Sequence, residues 1–158
     1  MPIEIEHKFL VTGTEWRQGN GVRISQGYLN RDKERTVRIR VSGAEAFITI
    51  KGASKGASRA EFEYPIPLAD AAELLKLCDG PIVEKTRYIF PYIGHKWEVD
   101  EFLGENAGLV VAEIELESED QAFERPNWVG QDVTSDPRYL NANLATNPYS
   151  QWRNQQNG

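Results

Sequence analysis

Apolar and polar residues alternate with period two along most of this chain, the pattern of extended strands whose two faces meet different surroundings. It delimits eight candidate strands: Ile3–Val11, Gly21–Asn30, Thr36–Ser42, Ala46–Gly52, Arg59–Ile66, Ile82–Tyr92, His95–Phe102 and Leu109–Glu117. Turn chemistry separates them at Arg31-Asp32-Lys33-Glu34, Ser42-Gly43, Gly52-Ala53-Ser54-Lys55-Gly56, Tyr92-Ile93-Gly94 and Gly104-Glu105-Asn106. Gly52 to Gly56 lacks the spacing of a phosphate-binding loop and reads as a hairpin turn. Helical spacing is clear only over Leu68–Cys78, which Asp79-Gly80-Pro81 should end. A second short helix is expected around Asp120–Arg125, before Pro126. The tail from Asp132 carries Tyr139, Leu140, Leu144, Tyr149 and Trp152 and should dock on the body, with the last five or so residues fraying. With no internal repeat and no linker, residues 1–158 read as one domain, its strands over about 3–117 and a docking tail over about 118–153.

Composition narrows the chemistry. The chain is 40% hydrophobic and 27% charged, which is globular, and its net charge of −6 disfavours a broad nucleic-acid surface. An acidic total still allows one small basic pocket. Cys78 is the only cysteine, so an intrachain disulfide is excluded, and its apolar surroundings mark it as core. With only His7 and His95 beside it, a structural zinc site is improbable, and any metal should be a hard ion held by carboxylates. No basic-then-apolar leader and no long apolar run are present, so the expectation is a soluble cytoplasmic protein, a monomer or homodimer, with no membrane or nucleic-acid partner.

What alternates is more informative than the alternation. Glu4, Glu6 and Lys8 share one face of the first strand. Arg38 and Arg40 share a face of the third, Thr49 and Lys51 of the fourth, and Glu61 and Glu63 of the fifth. The same spacing groups Lys85 with Arg87, Glu98 with Asp100, and Glu113 with Glu115 and Glu117. A single solvated sheet face would explain any one strand. It explains the set poorly, because solvated faces mix their polar residues and avoid like charges side by side. The alternative is a closed barrel with the charged faces inside. Its interior would hold eight carboxylates (Glu4, Glu6, Glu61, Glu63, Glu98, Asp100, Glu113, Glu115) and six cations (Lys8, Arg38, Arg40, Lys51, Lys85, Arg87). Each desolvated ion costs several kcal/mol, so such a cavity must be wet and built for a ligand. Clustered Arg and Lys suit phosphate oxygens, and carboxylates about 6.6 Å apart along a strand can converge on Mg²⁺ or Mn²⁺. The ligand should be small and strongly charged.

These residues resemble the CYTH superfamily, the triphosphate tunnel metalloenzymes. Glu4-x-Glu6-x-Lys8 matches its ExExK signature. The likeness continues through Gln26-Gly27-Tyr28-Leu29, Arg38-Ile39-Arg40, Ile48-Thr49-Ile50-Lys51-Gly52, Glu61-Phe62-Glu63, Lys85-Thr86-Arg87, Trp97 to Phe102 and Ala112 to Leu116. The resemblance implies a mainly β fold: an eight-stranded antiparallel closed barrel, or tunnel, with a charged interior and a few peripheral helices. It also implies a triphosphate ligand and divalent metal, Mg²⁺ or Mn²⁺, with two ions expected. Glu4, Glu6 and Glu115 look like ligands of the first ion, and Glu63, Asp100 and Glu113 like those of a second or of its waters. Lys8, Arg38, Arg40, Lys51, Lys85 and Arg87 look like the triphosphate grip.

Hydrolysis of inorganic tripolyphosphate to pyrophosphate and phosphate is the activity expected first. An adenylyl cyclase would need an adenine pocket, which no sequence feature announces. A thiamine triphosphatase would need an aromatic platform, for which Trp16, Trp128 or Trp152 are candidates. A non-catalytic polyphosphate- or nucleotide-binding module would not need so many carboxylates. Lys8 and Tyr28 are the candidate catalytic pair, although alternation leaves open which way the Tyr28 face points. His7 should lie with the apolar, outward face.

Overall fold

The computed structural model describes residues 3–156. Nine strands form: β1 (Ile3–Val11), β2 (Val22–Asn30), β3 (Arg35–Ser42), β4 (Glu45–Gly52), β5 (Ser58–Ile66), β6 (Asp79–Tyr92), β7 (His95–Phe102), β8 (Val110–Glu115) and β9 (Val129–Asp132). The helices are α1 (Leu68–Lys76), α2 (Asn141–Thr146) and α3 (Tyr149–Gln156). None is long and apolar enough to cross a membrane. The first eight strands pair antiparallel in the order β5-β4-β3-β2-β6-β7-β8-β1, and β1 pairs back onto β5, so the expected eight-stranded barrel closes.

Closure is shared. The start of β1 pairs with β5 (Ile3 with Ala60, Ile5 with Ser58), and the far end of the same edge pairs with β9 (Phe9 with Asp132, Val11 with Val129). Sequence reading missed β9, because Val129-Gly130-Gln131-Asp132 has no apolar alternation to announce it. It forms because β5 leaves half of the β1 edge open, and unpaired backbone groups there need partners. β6 also begins earlier than the expected Ile82, at Asp79, within the segment expected to end the helix. The β2–β6 register shifts between Gln26–Val83 and Tyr28–Asp79, and Gly80, at φ 75°, takes up the bulge in a conformation that suits glycine.

The apolar faces point outward and are clothed. Phe9, Trp97, Val99, Ala112 and Ile114 are covered by Trp16 from the β1–β2 connection and by Phe123 and Trp128 from the segment after β8. No helix forms at Asp120–Arg125, contrary to the sequence expectation. That stretch offers only Ala122 and Phe123 as apolar groups, too few for a helical stripe. Phe123 instead packs against Phe9, Trp97 and His7, with ring centroids 5.9–6.1 Å apart. His7 thus shares the outward face, as alternation requires. On the other side, α1 covers Ile39, Val41 and Ile48, with Cys78 packed against the same cluster.

A third cluster lies on the inner face. Leu10, Val83, Phe102 and Val111 share their faces with Lys8, Lys85, Asp100 and Glu113 by period two, so the charged lining turns apolar toward one end of the barrel. The tail packs there as expected, through Val133, Tyr139, Leu144, Ala145 and Trp152. The expected fraying of the last five or so residues concerns positions whose side chains lie outside the described residues. Leu144 is fully buried in this cluster. Leu144→Ala should therefore cost about 2–5 kcal/mol of unfolding free energy, read by urea denaturation, whereas a tail merely resting on the surface would lose under about 0.5 kcal/mol.

Candidate functional site

Period-two geometry carries the charged faces of β1 and β3–β8 into one lumen of about 200 Å³. Its walls are Glu4, Glu6, Lys8, Arg38, Arg40, Lys51, Glu61, Glu63, Arg87, Glu98, Glu113, Glu115 and Asn141. The lumen opens into a wider mouth of about 750 Å³ between the β2–β3 turn, the β4–β5 turn and the tail, lined by Tyr28, Arg31, Lys33, Arg59, Leu140 and Asn141 among others. Tyr28 thus faces inward, which settles the orientation that alternation left open. In the ring of strands β3 stands opposite β8, and β2 opposite β1.

Cross-strand register arranges the contacts. Arg38 lies opposite Thr49, and Thr49 opposite Glu63. The Arg38 guanidinium donates to Thr49 Oγ1 at 3.2 Å, and that hydroxyl donates to Glu63 Oε2 at 3.0 Å. Lys51 Nζ stands 3.0 Å from Glu4 and 3.4 Å from Glu61. Lys8 Nζ is 3.6 Å from Glu113 and 3.9 Å from Glu6. Arg87 makes a two-pronged contact with Asp100 at 2.7 and 2.9 Å, and reaches Glu98 at 3.0 Å. Lys85, wholly buried, meets Asp100 at 2.7 Å, donates to Asn141 Oδ1 at 3.1 Å, and stands 5.5 Å from the centre of the Phe102 ring.

Arg40 differs from the other interior cations: among the described residues no carboxylate lies within ion-pair distance of it. Its one hydrogen bond runs from Nε to Gln26 Oε1 at 2.9 Å. Burial and the neighbouring Arg38 and Arg87 pull its pKa down to about 9. Arg38 Nε is itself buried without a partner. Its terminal nitrogen nevertheless stands 3.6 Å from Glu63, so of the two Arg40 alone is short of negative charge.

The acidic wall has the opposite deficit. Burial, with Glu113 and Glu4 close by, raises Glu6 well above the usual carboxylate range despite Lys8 and Lys51. Burial and the adjacent Glu4 push Glu61 up to about 7, and Glu115 is raised by burial, Glu4 and Glu98. Other carboxylates are satisfied. Burial opposes ionisation of Glu113, yet Lys8 and Arg87 outweigh it and hold its pKa at about 2. Asp100 is held far below the usual range by Arg87 and Lys85, again against burial. Burial, together with Arg87 and Arg40, draws Lys85 down to about 7, although Asp100 pulls the other way. The 2.7 Å contact and the strongly ionised Asp100 identify that pair as charged at neutral pH.

The donor set fits a divalent cation: oxygen ligands only, crowded enough that Glu6, Glu61 and Glu115 are all raised in pKa. In the arrangement seen, the lysines fill the gaps, and among the described residues no three carboxylates stand close enough together to hold an ion. Of the residues expected at the site, all but three line the lumen itself. Lys85 and Asp100 lie in the wall, locked to each other, and Tyr28 lines the mouth. Trp16, Trp128 and Trp152 are packed into the clusters described above and supply no aromatic platform to either cavity. Sequence reading passed over three contributors. Gln26 could have been found, since it shares the Tyr28 face at spacing two. Arg59 could have been found as well, since it shares the face of Glu61 and Glu63 at the same spacing; Asn141 carries no local signal and arrives with the tail.

A closed barrel with its charge inside and its apolar face clothed outside defines a tunnel protein made for a small polyanion. The chain belongs to the CYTH domain family, whose profile matches residues 2–149. It is 51% identical over 155 residues to the inorganic triphosphatase of Acetivibrio thermocellus, covering 97% of this chain and 99% of that protein. It is 40% identical over 146 residues to the inorganic triphosphatase of Nitrosomonas europaea, covering 90% and 96%. The crystal structure of the inorganic triphosphatase NE1496 superposes with a TM-score of 0.64 at 38% identity, over 90% of this chain and 93% of that one. A conserved hypothetical protein from Pyrococcus furiosus shares the fold at 19% identity, with a TM-score of 0.57 over 74% of this chain and 80% of that one.

The carboxylate crowding has a pH signature. Between its ordinary pKa of 4.5 and its folded value of about 7, Glu61 holds a proton that the unfolded chain has released, so the native state loses stability as pH rises through that window. Glu6 and Glu115 act in the same direction. Glu113 and Asp100 act oppositely, and their contribution is lost in strong acid. Without divalent metal, the melting temperature should fall between about pH 5 and pH 7. Glu61→Gln should flatten the decline, and Mg²⁺ should reduce it. A melting temperature that climbs over this range, by differential scanning fluorimetry, contradicts the assignment.

Proposed function

We propose that this chain is a divalent-metal-dependent phosphoanhydride hydrolase that cleaves inorganic tripolyphosphate to pyrophosphate and orthophosphate in the barrel lumen. One observation carries the reading. Arg40 on β3, a buried guanidinium with no carboxylate within ion-pair distance among the described residues, stands across the barrel from β8, which with β1 and β5 carries the crowded carboxylates Glu115, Glu6 and Glu61. A triphosphate with its metal supplies both missing charges at once. The two relatives named inorganic triphosphatase, at 51% and 40% identity, support the same activity.

Glu4, Glu6 and Glu115 would hold a first Mg²⁺ or Mn²⁺, and Glu63 and Glu113 a second or its waters. Asp100 could join them only by giving up part of its contact with Arg87 and Lys85. Bound metal supplies neutralisation of developing charge and a water of lowered pKa. The chain's own groups do the rest. Arg38 and Arg40 offer planar forks to the phosphate oxygens, while Lys51 and Arg87 fix the chain from neighbouring walls. Lys85 lends its charge from behind Arg87. Lys8, raised in pKa by Glu113, Glu6 and Glu4 against the cost of burial, stays protonated and can steady the reacting phosphoryl group. Tyr28, on the strand facing β1, presents its hydroxyl toward the same region. Together they align a terminal phosphorus for in-line attack.

The test is a substrate panel of tripolyphosphate, ATP and thiamine triphosphate with Mg²⁺ or Mn²⁺, following phosphate, pyrophosphate and cyclic AMP. Tripolyphosphate should be turned over fastest. Glu6→Ala should reduce turnover by about 100-fold or more, and Arg40→Ala should raise KM by about tenfold. Cyclic AMP and pyrophosphate from ATP, with little action on tripolyphosphate, would overturn the reading.

A further inference from the structure

Gln26 is wholly buried, neutral and directly opposite Arg40 on the neighbouring strand. Its amide makes two side-chain contacts of interest. Oε1 accepts from Arg40 Nε at 2.9 Å, and Nε2 donates to the Tyr28 hydroxyl oxygen at 3.1 Å. Guanidinium has donors only, so Arg40 dictates which end of the amide faces it; the flipped amide would set N–H against N–H. The other end must then be the NH₂ group, and Tyr28 must accept from it. A phenol that accepts through its oxygen keeps its own proton for another acceptor. Among the hydrogen bonds of the described residues none takes that proton. Lys8, the cation opposite on β1 whose charge reaches Tyr28, is itself only a donor. The Tyr28 proton is therefore directed to the cavity that its side chain lines.

We propose that Gln26 is a positioning residue that sets two properties of the site at once: it orients Arg40 without neutralising it, and it fixes Tyr28 as a hydrogen-bond donor to a substrate phosphate oxygen. The inference rests on the triphosphate reading above and adds what that reading lacks. A carboxylate at this position would hold Arg40 equally well but would cancel its charge. It would also accept the Tyr28 proton and withdraw it from the lumen. A neutral amide is the side chain of this size that can accept from one neighbour while donating to the other. Arg40 keeps its charge for the polyanion because its one side-chain hydrogen-bond partner among the described residues bears none.

Gln26→Glu separates this role from simple packing, since it preserves size and the contact with Arg40. Steady-state kinetics on tripolyphosphate with Mg²⁺, alongside melting temperatures, should show Gln26→Glu folded and at least as stable as wild type. Its KM should rise about tenfold or more, and its kcat should fall to the level of Tyr28→Phe. Combining Gln26→Glu with Tyr28→Phe should lower kcat no further than either change alone. Gln26→Met, which removes both hydrogen bonds, should also lower kcat to the Tyr28→Phe level. Wild-type kinetics within about twofold in Gln26→Glu, or kcat losses that multiply in the double variant, overturn the proposal. A second measurement needs no variant. Tripolyphosphate titrated into the wild-type protein should shift both the Arg40 Nε and the Tyr28 Cζ resonances. Movement at Arg40 without movement at Tyr28 refutes the role of Gln26. Movement at neither refutes triphosphate binding itself, and the proposal with it.

Discussion

Uncompensated charge enclosed in a ring of strands is the constraint on which the remainder of this structure depends. Desolvating so many ions in a dry interior would exceed the stability of any domain this size, so the lumen must be wet and its charges must answer one another across it. Once the charged faces turn inward, the apolar faces turn outward and need cover. α1, Trp16 and the Phe123–Trp128 segment are that cover, while the tail closes over the apolar end of the inner face. What looks like peripheral decoration is therefore a direct consequence of what is inside.

Within the lumen the charges fall into two groups. Arg87 and Lys85 are neutralised by Asp100 and Glu98 at 2.7–3.0 Å, and the four form a rigid buttress in the wall between β6 and β7. Arg40, Glu6 and Glu61 are left wanting, and their shifted states show it. The same folding event that satisfies the first group holds the second in place, which is what preorganisation toward a charged ligand requires. The site gains its affinity from stability that the fold gives up.

Alternation made the barrel legible from sequence, and like charges at spacing two made its interior legible as well. Both signals survive because a strand's faces are set by position alone. Three things were hidden for physical reasons. β9 forms to satisfy an edge of β1, a demand that belongs to the partner and leaves no pattern in Val129–Asp132. Phe123 replaces an expected helix because one anchored ring suffices where no stripe exists. The inner face changes from charged to apolar at Leu10, Val83, Phe102 and Val111, and each of these looks in sequence like an ordinary core position. Only the closure of the ring shows that they face the tail. Asn141 was hidden with them, since its place beside Lys85 depends on where the tail comes to rest.

The divided edge of β1 also bears on how the molecule assembles. β1 precedes every other strand in the chain, yet its neighbours are β8, β9 and the start of β5, and the Lys8 carbonyl accepts from Val133 N, well over a hundred residues away. Contacts of such sequence separation form late, because loop closure costs entropy before any pairing rewards it. The strand bearing Glu4, Glu6 and Lys8 must wait for nearly the whole chain to emerge. The charged wall that β1 contributes is consequently completed only when strands from both halves of the chain have closed around it.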